Sequence, residues 1–361
     1  MQLSSLVEEL AHLTALDAPS GFEEPVLAFC KQAFGRLCDS VDIDIRGNLY
    51  AHRQGTNPAA PLVAVMTHAD EIGLQITRVT NDGFLGFTKI GGVTDSVLPG
   101  SRVRIITQDG KVEGLVGVRP GHVISREDAR TIPSVEKMYI DVGAVSAEEV
   151  AEAGIEPGSP AVFASPLTAT SNPYRVVGKA IDNRAGILAQ LKLAEHVKEH
   201  RPACSLVFIV TVEEEIGLRG AAVAAAHVKP DIVIAVDTVP AGGTPDVSPT
   251  TLPWQIGKGP ILKWRETRGY VTHRPLREHF RHVAKENHIP LQCGVDTAGV
   301  TDASSAQQAS GNIAALTIGL PRRYSHSAVE MLDLDDLGHL IRLLTAGIPT
   351  LDNREMLRRL K

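Results

Sequence analysis

Long apolar runs are absent from this sequence of 361 residues. Nowhere do 18 uncharged apolar residues follow one another, so the sequence lacks the usual signature of a transmembrane helix. The first ten residues include Glu8 and Glu9, where a secretory signal peptide would need an apolar stretch. We therefore expect a cytoplasmic protein that has no membrane partner.

Cysteine pairs and basic clusters are also lacking. The four cysteines, Cys30, Cys38, Cys204 and Cys293, show no Cys-x-x-Cys spacing, which argues against a small disulfide framework. The 36 basic residues are outnumbered by 42 acidic residues, and the net charge of -6 leaves no basic stripe to neutralise phosphates. Nucleic acid is therefore not expected as a partner, and the composition is more consistent with peptide or small-molecule ligands.

The apolar residues that are present predict alternating strands and helices. Short apolar runs typical of buried strands occur at 61–67, 206–212, 231–236 and 313–318. Helical spacing of apolar residues occurs at 3–16, 184–200, 276–288 and 334–344. Asp333 is a plausible N-cap, and Ser20 with Glu23 resembles a capping box. The pattern predicts a three-layer α/β fold in which a central, mainly parallel sheet lies between helices.

A different pattern between positions 72 and 165 predicts a small inserted domain. Short alternating runs are separated by turn signals at Asn81-Asp82-Gly83 and Asp109-Gly110, which indicates β hairpins. Ser146 and Glu149 form another capping box, but the helix that follows is too short to cover a parallel sheet. We therefore predict a β-rich domain at 72–165 within a larger domain formed by 1–71 and 166–361.

Polar residues follow directly after the predicted strands. In an open α/β sheet, ligands bind beyond the carboxyl ends of the strands, so such residues are candidates for a functional site. Five segments stand out, at 67–71, 179–183, 212–217, 235–238 and 324–327, and their candidates are His68, Asp70, Asp182, Glu213, Glu214, Glu215, Asp237 and His326. Taken singly, each residue has an ordinary structural explanation: Asp182 could cap a helix, and the three glutamates could form a solvated turn. Taken together, they predict a convergent cluster of imidazoles and carboxylates.

Such a cluster needs compensating positive charge. Buried carboxylates repel one another, and no lysine or arginine recurs beside all five candidate segments. Divalent metal is the simplest compensation, and imidazole with carboxylate but no thiolate favours zinc, cobalt or manganese. Five ligands are too many for one catalytic zinc ion with an open position, but they suit two ions roughly 3.5–4 Å apart. The residues alone do not decide among Glu213, Glu214 and Glu215.

The sequence resembles the M42 metallo-aminopeptidases, a family that includes glutamyl, lysyl and deblocking aminopeptidases and the tetrahedral TET particles. The resemblance spans nearly the whole chain. It is carried by five motifs in the family's order: Pro19-Ser20-Gly21-Phe22-Glu23, His68-Ala69-Asp70-Glu71-Ile72-Gly73, Ala180-Ile181-Asp182-Asn183-Arg184, Glu214-Glu215-Ile216-Gly217-Leu218-Arg219-Gly220-Ala221 and Tyr324-Ser325-His326-Ser327-Ala328-Val329-Glu330-Met331.

The resemblance implies a role for each candidate residue. Asp182 would bridge two metal ions, with His68 and Asp237 completing one site and Glu215 and His326 completing the other. Glu214 would be the general base that takes a proton from a metal-activated bridging water. Glu213 stands where the family has glutamine.

Asp70 is predicted to support His68. It lies two residues beyond His68 and points the same way along the strand, so its carboxylate could accept the second imidazole N–H. The resemblance also implies a dodecamer built from dimers, with the inserted β domain at subunit contacts. The Pro/Gly-rich segment 239–260 could form a wall of the substrate pocket or an ordinary surface loop.

Three functional hypotheses follow. The first is an aminopeptidase that hydrolyses N-terminal residues from peptides with two divalent metal ions per subunit. The second is a related dinuclear amidase, deacylase or carboxypeptidase, because the same metal chemistry serves all of them. The third is a noncatalytic assembly protein whose metals only stabilise subunit contacts. The preferred N-terminal residue and the physiological metal are not indicated by the sequence.

Overall fold

The chain forms a three-layer α/β unit and a small β-barrel in a computed structural model that describes residues 3–123, 125, 130–267, 269–297 and 299–360. The helices are α1 (Leu3–Thr14), α2 (Glu24–Gly35), α3 (Ala147–Glu152), α4 (Ile181–Glu199), α5 (Arg219–Val228), α6 (Arg274–Glu286), α7 (Asp302–Ser310) and α8 (Leu334–Gly347). Across these described ranges, every helix is too short or too polar to cross a bilayer.

The strands of the large sheet are β1 (Ser40–Ile43), β2 (Leu49–Arg53), β3 (Leu62–His68), β10 (Thr168–Ala169), β11 (Arg175–Gly178), β12 (Ser205–Thr211), β13 (Ile232–Pro240), β14 (Ile261–Arg265), β15 (Gln292–Val295), β16 (Ala314–Arg323) and β17 (Glu330–Asp333). The strands of the barrel are β4 (Gly73–Val79), β5 (Leu85–Ile90), β6 (Arg102–Ile106), β7 (Lys111–Val116), β8 (Ile140–Asp141) and β9 (Pro160–Phe163).

The large sheet is parallel at its centre and antiparallel at its flanks. Strands β12, β3, β13 and β16 lie side by side in parallel. On one flank β2 and β1 join them in antiparallel pairs, and on the other β17, β11 and β10 do so. The predicted α/β fold class is confirmed, and the predicted parallel arrangement applies to the four central strands of a mixed sheet.

The central strands are apolar throughout because helices cover both faces of the sheet. In β3, Val63 and Val65 pack into one core with α1, α2, α4, α6 and α8. The alternate residues, Ala64 and Met66, pack into a second core with α5 and α7. Successive side chains of a strand point to opposite faces, so a strand buried on both sides needs an unbroken apolar run.

The predicted helices are confirmed as α1, α4, α6 and α8, and the Asp333 carboxylate caps α8 by accepting the Asp335 N–H. The capping box predicted at Ser20 is wrong. Helix α2 begins at Glu24, and the Ser20 hydroxyl instead donates to Asp70 Oδ2 over 2.6 Å. In a capping box the serine oxygen accepts an N–H of the first helical turn, but Glu23 is the N-cap residue of α2, so Ser20 lies three residues before the capping position.

The barrel strands fall between positions 73 and 163 and enclose their own apolar core. Their order around the barrel is β4-β5-β8-β7-β6-β9. The predicted turns join β4 to β5 and β6 to β7 in antiparallel hairpins. The predicted cap of α3 is confirmed, because Ser146 Oγ accepts the Glu149 N–H.

A buried carboxylate links the barrel to the α/β unit. Asp17, which follows α1, is fully buried. Its oxygens lie 3.0 Å from Arg104 Nη1 in β6, 2.7 Å from Lys111 Nζ in β7 and 3.1 Å from Lys179 Nζ after β11. Removing one partner from a buried ionic network leaves an uncompensated buried charge, which is destabilising. This network therefore holds the barrel against the edge of the sheet that leads to Asp182.

Candidate metal centre

The parallel strands deliver the candidate residues to one edge of the sheet. His68 is the last residue of β3 and pairs with Thr211, the last residue of β12, so the glutamates that follow β12 emerge beside it. Asp237 lies in β13 next to β16, which leads to His326. Strand β11 runs in the same direction as β16, because both are antiparallel to β17, and it leads to Asp182 at this edge.

The candidate ligands form two adjoining groups. One group consists of His68, Glu214 and Asp237, and the other of Asp182, Glu215 and His326. Within each group the ligand atoms lie within 4.8 Å of one another. Asp182 lies between them: its Oδ1 is 3.1 Å from His68 Nε2, and its Oδ2 is 3.6 Å from His326 Nε2. The five predicted metal ligands are thus brought together, and one carboxylate faces both groups.

The three consecutive glutamates point to different surroundings. Glu213 turns away from the cluster and forms an ion pair with Arg46, with Arg219 at 4.0 Å. Glu215 Oε2 is 3.4 Å from His326 Nε2, and its side chain is only 3 % exposed. Glu214 lines the cavity beside the cluster. The fold thereby distinguishes residues that the sequence pattern left equivalent.

Asp70 organises the cluster from behind. Its buried carboxylate accepts the backbone N–H groups of Glu214 and Glu215, each over 3.1 Å, in addition to the Ser20 hydroxyl. His68 Nδ1 lies 3.1 Å from the Asp70 carbonyl oxygen and 3.4 Å from Asp70 Oδ1. Asp70 therefore holds both the imidazole and the start of the glutamate loop, rather than the imidazole alone.

Unusual backbone conformations concentrate around the cluster. Ala180, Glu213, Leu218, Tyr324 and His326 have φ between 54° and 59°, the left-handed region that residues with a Cβ rarely adopt. Left-handed non-glycine residues persist where the surrounding structure dictates them, and they cluster at functional sites. Their distribution independently points to this edge of the sheet.

Arg322 is a member of the cluster that the sequence analysis missed. Its side chain is 2 % exposed, with Nη2 2.8 Å from Asp182 Oδ2 and Nη1 bonded to Glu330. The sequence analysis considered only basic residues that recur beside all five candidate segments, so it did not consider one that reaches Asp182 from another strand. The available signal was the position of Arg322 at the end of β16, four residues before His326.

A cavity of about 200 Å³ adjoins the cluster. Further wall residues, which the sequence analysis left unassigned, include Thr238, Pro240, Lys263, Asp296 and Thr301. Lys263 Nζ is 2.7 Å from Asp296 Oδ2. Pro240, the last residue of β13, is the residue of the Pro/Gly-rich segment that lines this cavity. Another cavity, of about 500 Å³, contains none of the candidate residues.

The cluster attracts positive charge. Burial, reinforced by the neighbouring Asp182 carboxylate, raises the pKa of Glu215 to about 8. Burial likewise raises the pKa of Glu214 well above its usual range. Against burial, which lowers it, contacts with Asp182 and Glu215 raise the pKa of His326 to about 9. Carboxylates crowded in a low-dielectric site favour protons or metal cations in this way.

The donor atoms present fit divalent metal ions. Glu215 Oε1 is buried and has no hydrogen-bond donor among the residues that the structure describes. A buried carboxylate oxygen without a donor is costly unless a cation approaches it. Imidazole nitrogens with carboxylate oxygens, and no thiolate, are ligands that zinc and related divalent ions accept. The residues on both sides of Asp182 satisfy these requirements.

Comparison with known proteins finds a matching family model and several similar sequences. The family model described as M42 glutamyl aminopeptidase matches residues 47–343. The lysyl aminopeptidase of Pyrococcus furiosus is 34% identical over 314 residues, which cover 86% of this chain and 87% of that protein. The glutamyl aminopeptidase of Lactococcus lactis is 30% identical over 354 residues, covering 97% of this chain and 98% of that protein.

Solved structures are similar over nearly the entire length. An aminopeptidase from the archaeon Desulfurococcus kamchatkensis has a TM-score of 0.93 and 34% identity, covering 99% of this chain and 98% of that chain. The TET1 peptidase of Pyrococcus horikoshii has a TM-score of 0.83 and 32% identity, covering 94% and 98% respectively. The latter can assemble into a tetrahedron or a large octahedral shell.

Proposed function

The chain belongs to the M42 family of aminopeptidases, and we propose that its two ligand groups hold the metal ions with which it hydrolyses peptides. It is a metal-dependent hydrolase that acts on the N-terminal peptide bond. The observation that carries the assignment of residues is the position of Asp182, whose two oxygens face the two groups. A carboxylate placed in this way can bridge two cations.

The proposed ligands divide between two sites. His68, Asp237 and Asp182 Oδ1 would hold one ion, and Glu215, His326 and Asp182 Oδ2 would hold the other. Zinc or cobalt suits these nitrogen and oxygen donors best, and manganese is compatible. When bound, divalent ions supply Lewis acidity, which polarises the scissile carbonyl and makes water acidic enough to react near neutral pH.

Glu214 is proposed as the general base. Its carboxylate lines the cavity beside His68 and Asp237, where it can accept a proton from the attacking water and return it to the leaving amine. Burial raises the pKa of Glu214 well above its usual range, so it holds a proton more readily than an exposed glutamate. Asp70 positions this base through its bond to the Glu214 N–H.

The activity is tested with a panel of chromogenic substrates. We expect hydrolysis of amino-acid p-nitroanilides with a free amino group, loss of activity after dialysis against a chelator, and recovery when zinc, cobalt or manganese is added. N-acylated and C-terminal substrates, assayed in parallel, represent the related amidase, deacylase and carboxypeptidase functions. Hydrolysis restricted to those substrates would exclude an aminopeptidase, and metal binding without any hydrolysis would favour an assembly protein.

We also propose a homo-oligomer, and more specifically a dodecamer built from dimers. Support comes from structurally similar peptidases, of which one is described as a dodecamer and another as a tetrahedral or octahedral shell. In this proposal residues 72–165 form an inserted domain that contributes subunit contacts, and residues 1–71 and 166–361 form the catalytic domain. Light scattering after size-exclusion chromatography should give the mass of twelve chains, and a stable monomer with and without metal would contradict it.

The cytoplasm is the proposed location. All four cysteines are free in the structure, and two of them are fully buried. Free thiols are typical of proteins in reducing compartments, where disulfides rarely persist. Fractionation of the producing cells, with assay of peptidase activity in each fraction, tests the location.

A further inference from the structure

The two oxygens of Asp182 have different electrostatic surroundings. On the Oδ1 side the nearest group is the imidazole of His68, at 3.1 Å, which is itself a proposed metal ligand. On the Oδ2 side the Arg322 guanidinium lies 2.8 Å away, closer than His326 at 3.6 Å. One side of the proposed bridge thus already contacts a permanent cation, and the other does not.

Arg322 is held firmly in this position. Its Nη2 group also donates to Ser325 Oγ over 2.7 Å, and its Nη1 group bonds to Glu330. Glu330 Oε2 in turn accepts the backbone N–H of Asp182 over 3.0 Å. Both ends of the Asp182–Arg322 contact are therefore anchored through Glu330. The guanidinium is buried and stays charged at any physiological pH, so it does not lose its charge when a metal ion binds nearby.

A guanidinium in this position acts against a metal ion on the same oxygen. It shares the electron density of Oδ2 through a charge-assisted hydrogen bond, and it repels a nearby divalent cation in a low-dielectric environment. Glu330 bonds to the same guanidinium through Nη1 and offsets part of its charge, but the Nη2 group keeps its bond to Oδ2. The Oδ1 side has no comparable cation among the described contacts of Asp182.

We propose that Arg322 is a positioning residue that makes the two metal sites unequal. By holding Asp182 Oδ2, it presets the carboxylate between the two groups and weakens the site formed with Glu215 and His326. The site formed with His68 and Asp237 is then filled first, and the second ion binds more weakly and exchanges more readily. This inference rests on the two-metal centre proposed above, but it concerns binding rather than turnover.

Titration of the metal-free protein with cobalt, followed by calorimetry and visible absorption, tests the inequality. The wild type is expected to bind two ions per chain with dissociation constants that differ at least ten-fold. Arg322→Met should lower that ratio toward one, chiefly by tightening the second step. Arg322→Met combined with Glu330→Gln removes both charges together, so it avoids a buried unpaired glutamate and should give the same result.

Two sets of control variants show which residues cause the difference between the two dissociation constants. Arg323→Met alters the adjacent arginine, which only bonds the Gly243 carbonyl among its described contacts, and should leave both constants unchanged. In the wild-type background, His326→Ala should remove the weaker step and His68→Ala the stronger one.

Equal affinities in the wild type, or loss of the tighter step in His326→Ala, would overturn the inference even if no Arg322 variant folds. An unchanged ratio in both Arg322 variants would also overturn it. A protein that binds no metal at these residues would instead refute the two-metal centre itself.

Discussion

Glu214→Gln is expected to lower kcat by about 10²–10⁴-fold, the usual contribution of a general acid–base group. The carboxamide has the size of the carboxylate but cannot accept the proton of the attacking water. Metal content should stay at the wild-type value, because the proposed ligands and the Asp70 contact to the residue 214 backbone N–H remain. The measurements are kcat on a p-nitroanilide substrate and metal analysis of the dialysed protein.

The neighbouring Glu213 provides a matched control. Glu213→Gln makes the same chemical change one residue earlier, at a side chain that pairs with Arg46 outside the cluster. It should keep activity within a few-fold of the wild type. Near wild-type activity of Glu214→Gln would disprove its role as the base. Loss of a metal ion from that variant would show instead that Glu214 is a ligand, as its distance from His68 and Asp237 permits.

Asp182→Ala should remove both metal ions and lower activity by about 10³-fold or more, because each metal contributes several kcal/mol to the reaction. The physical reason is that one carboxylate faces both ligand groups. The variant should also lose stabilisation by metal, which for the wild type amounts to about 2.7 kcal/mol per ion at a free concentration of 100 times Kd. Metal analysis and thermal unfolding with and without added zinc measure these effects.

Asp237→Ala is the comparison for this experiment. Asp237 Oδ1 lies 3.5 Å from His68 Nε2, and Asp237 belongs to one ligand group only. Its substitution should therefore release one metal ion and leave the other bound. If Asp182→Ala and Asp237→Ala lose the same single ion, Asp182 does not act as a bridge. Unfolding curves recorded in chelator should separate loss of metal from damage to the fold, since chelated wild type provides the baseline.

Much of the fold was predictable from local pattern. The central strands could be located because a strand covered on both faces must be an unbroken apolar run, as in β3 and β12. Closure of six short strands into a barrel was not predictable, because the hairpin signals specify neighbouring pairs but not the contact of β9 with both β4 and β6. The Ser20 capping box was wrong because α2 begins only at Glu24, so Ser20 lies before the capping position, and its hydroxyl donates to Asp70, 50 residues away.

The proposed site was predictable to a similar degree. Parallel strands end at one edge of a sheet, so His68, Asp237 and the glutamates after β12 were expected to converge. The local sequence could not indicate which glutamate enters the cavity, because that depends on the left-handed backbone of Glu213 and on its pairing with Arg46. Lys263 and Asp296 escaped notice because they approach the cavity from a strand and a loop remote in sequence.

By itself, the sequence determined the alternation of strands and helices and the residue types available where the strands end. Both follow from local periodicity and from the shared direction of parallel strands, which short segments encode. Only the tertiary structure decided that Asp182 presents one oxygen to each ligand group and that Arg322 contacts one of those oxygens. These are contacts between side chains 114 to 144 positions apart, and their geometry depends on the packing of the entire chain.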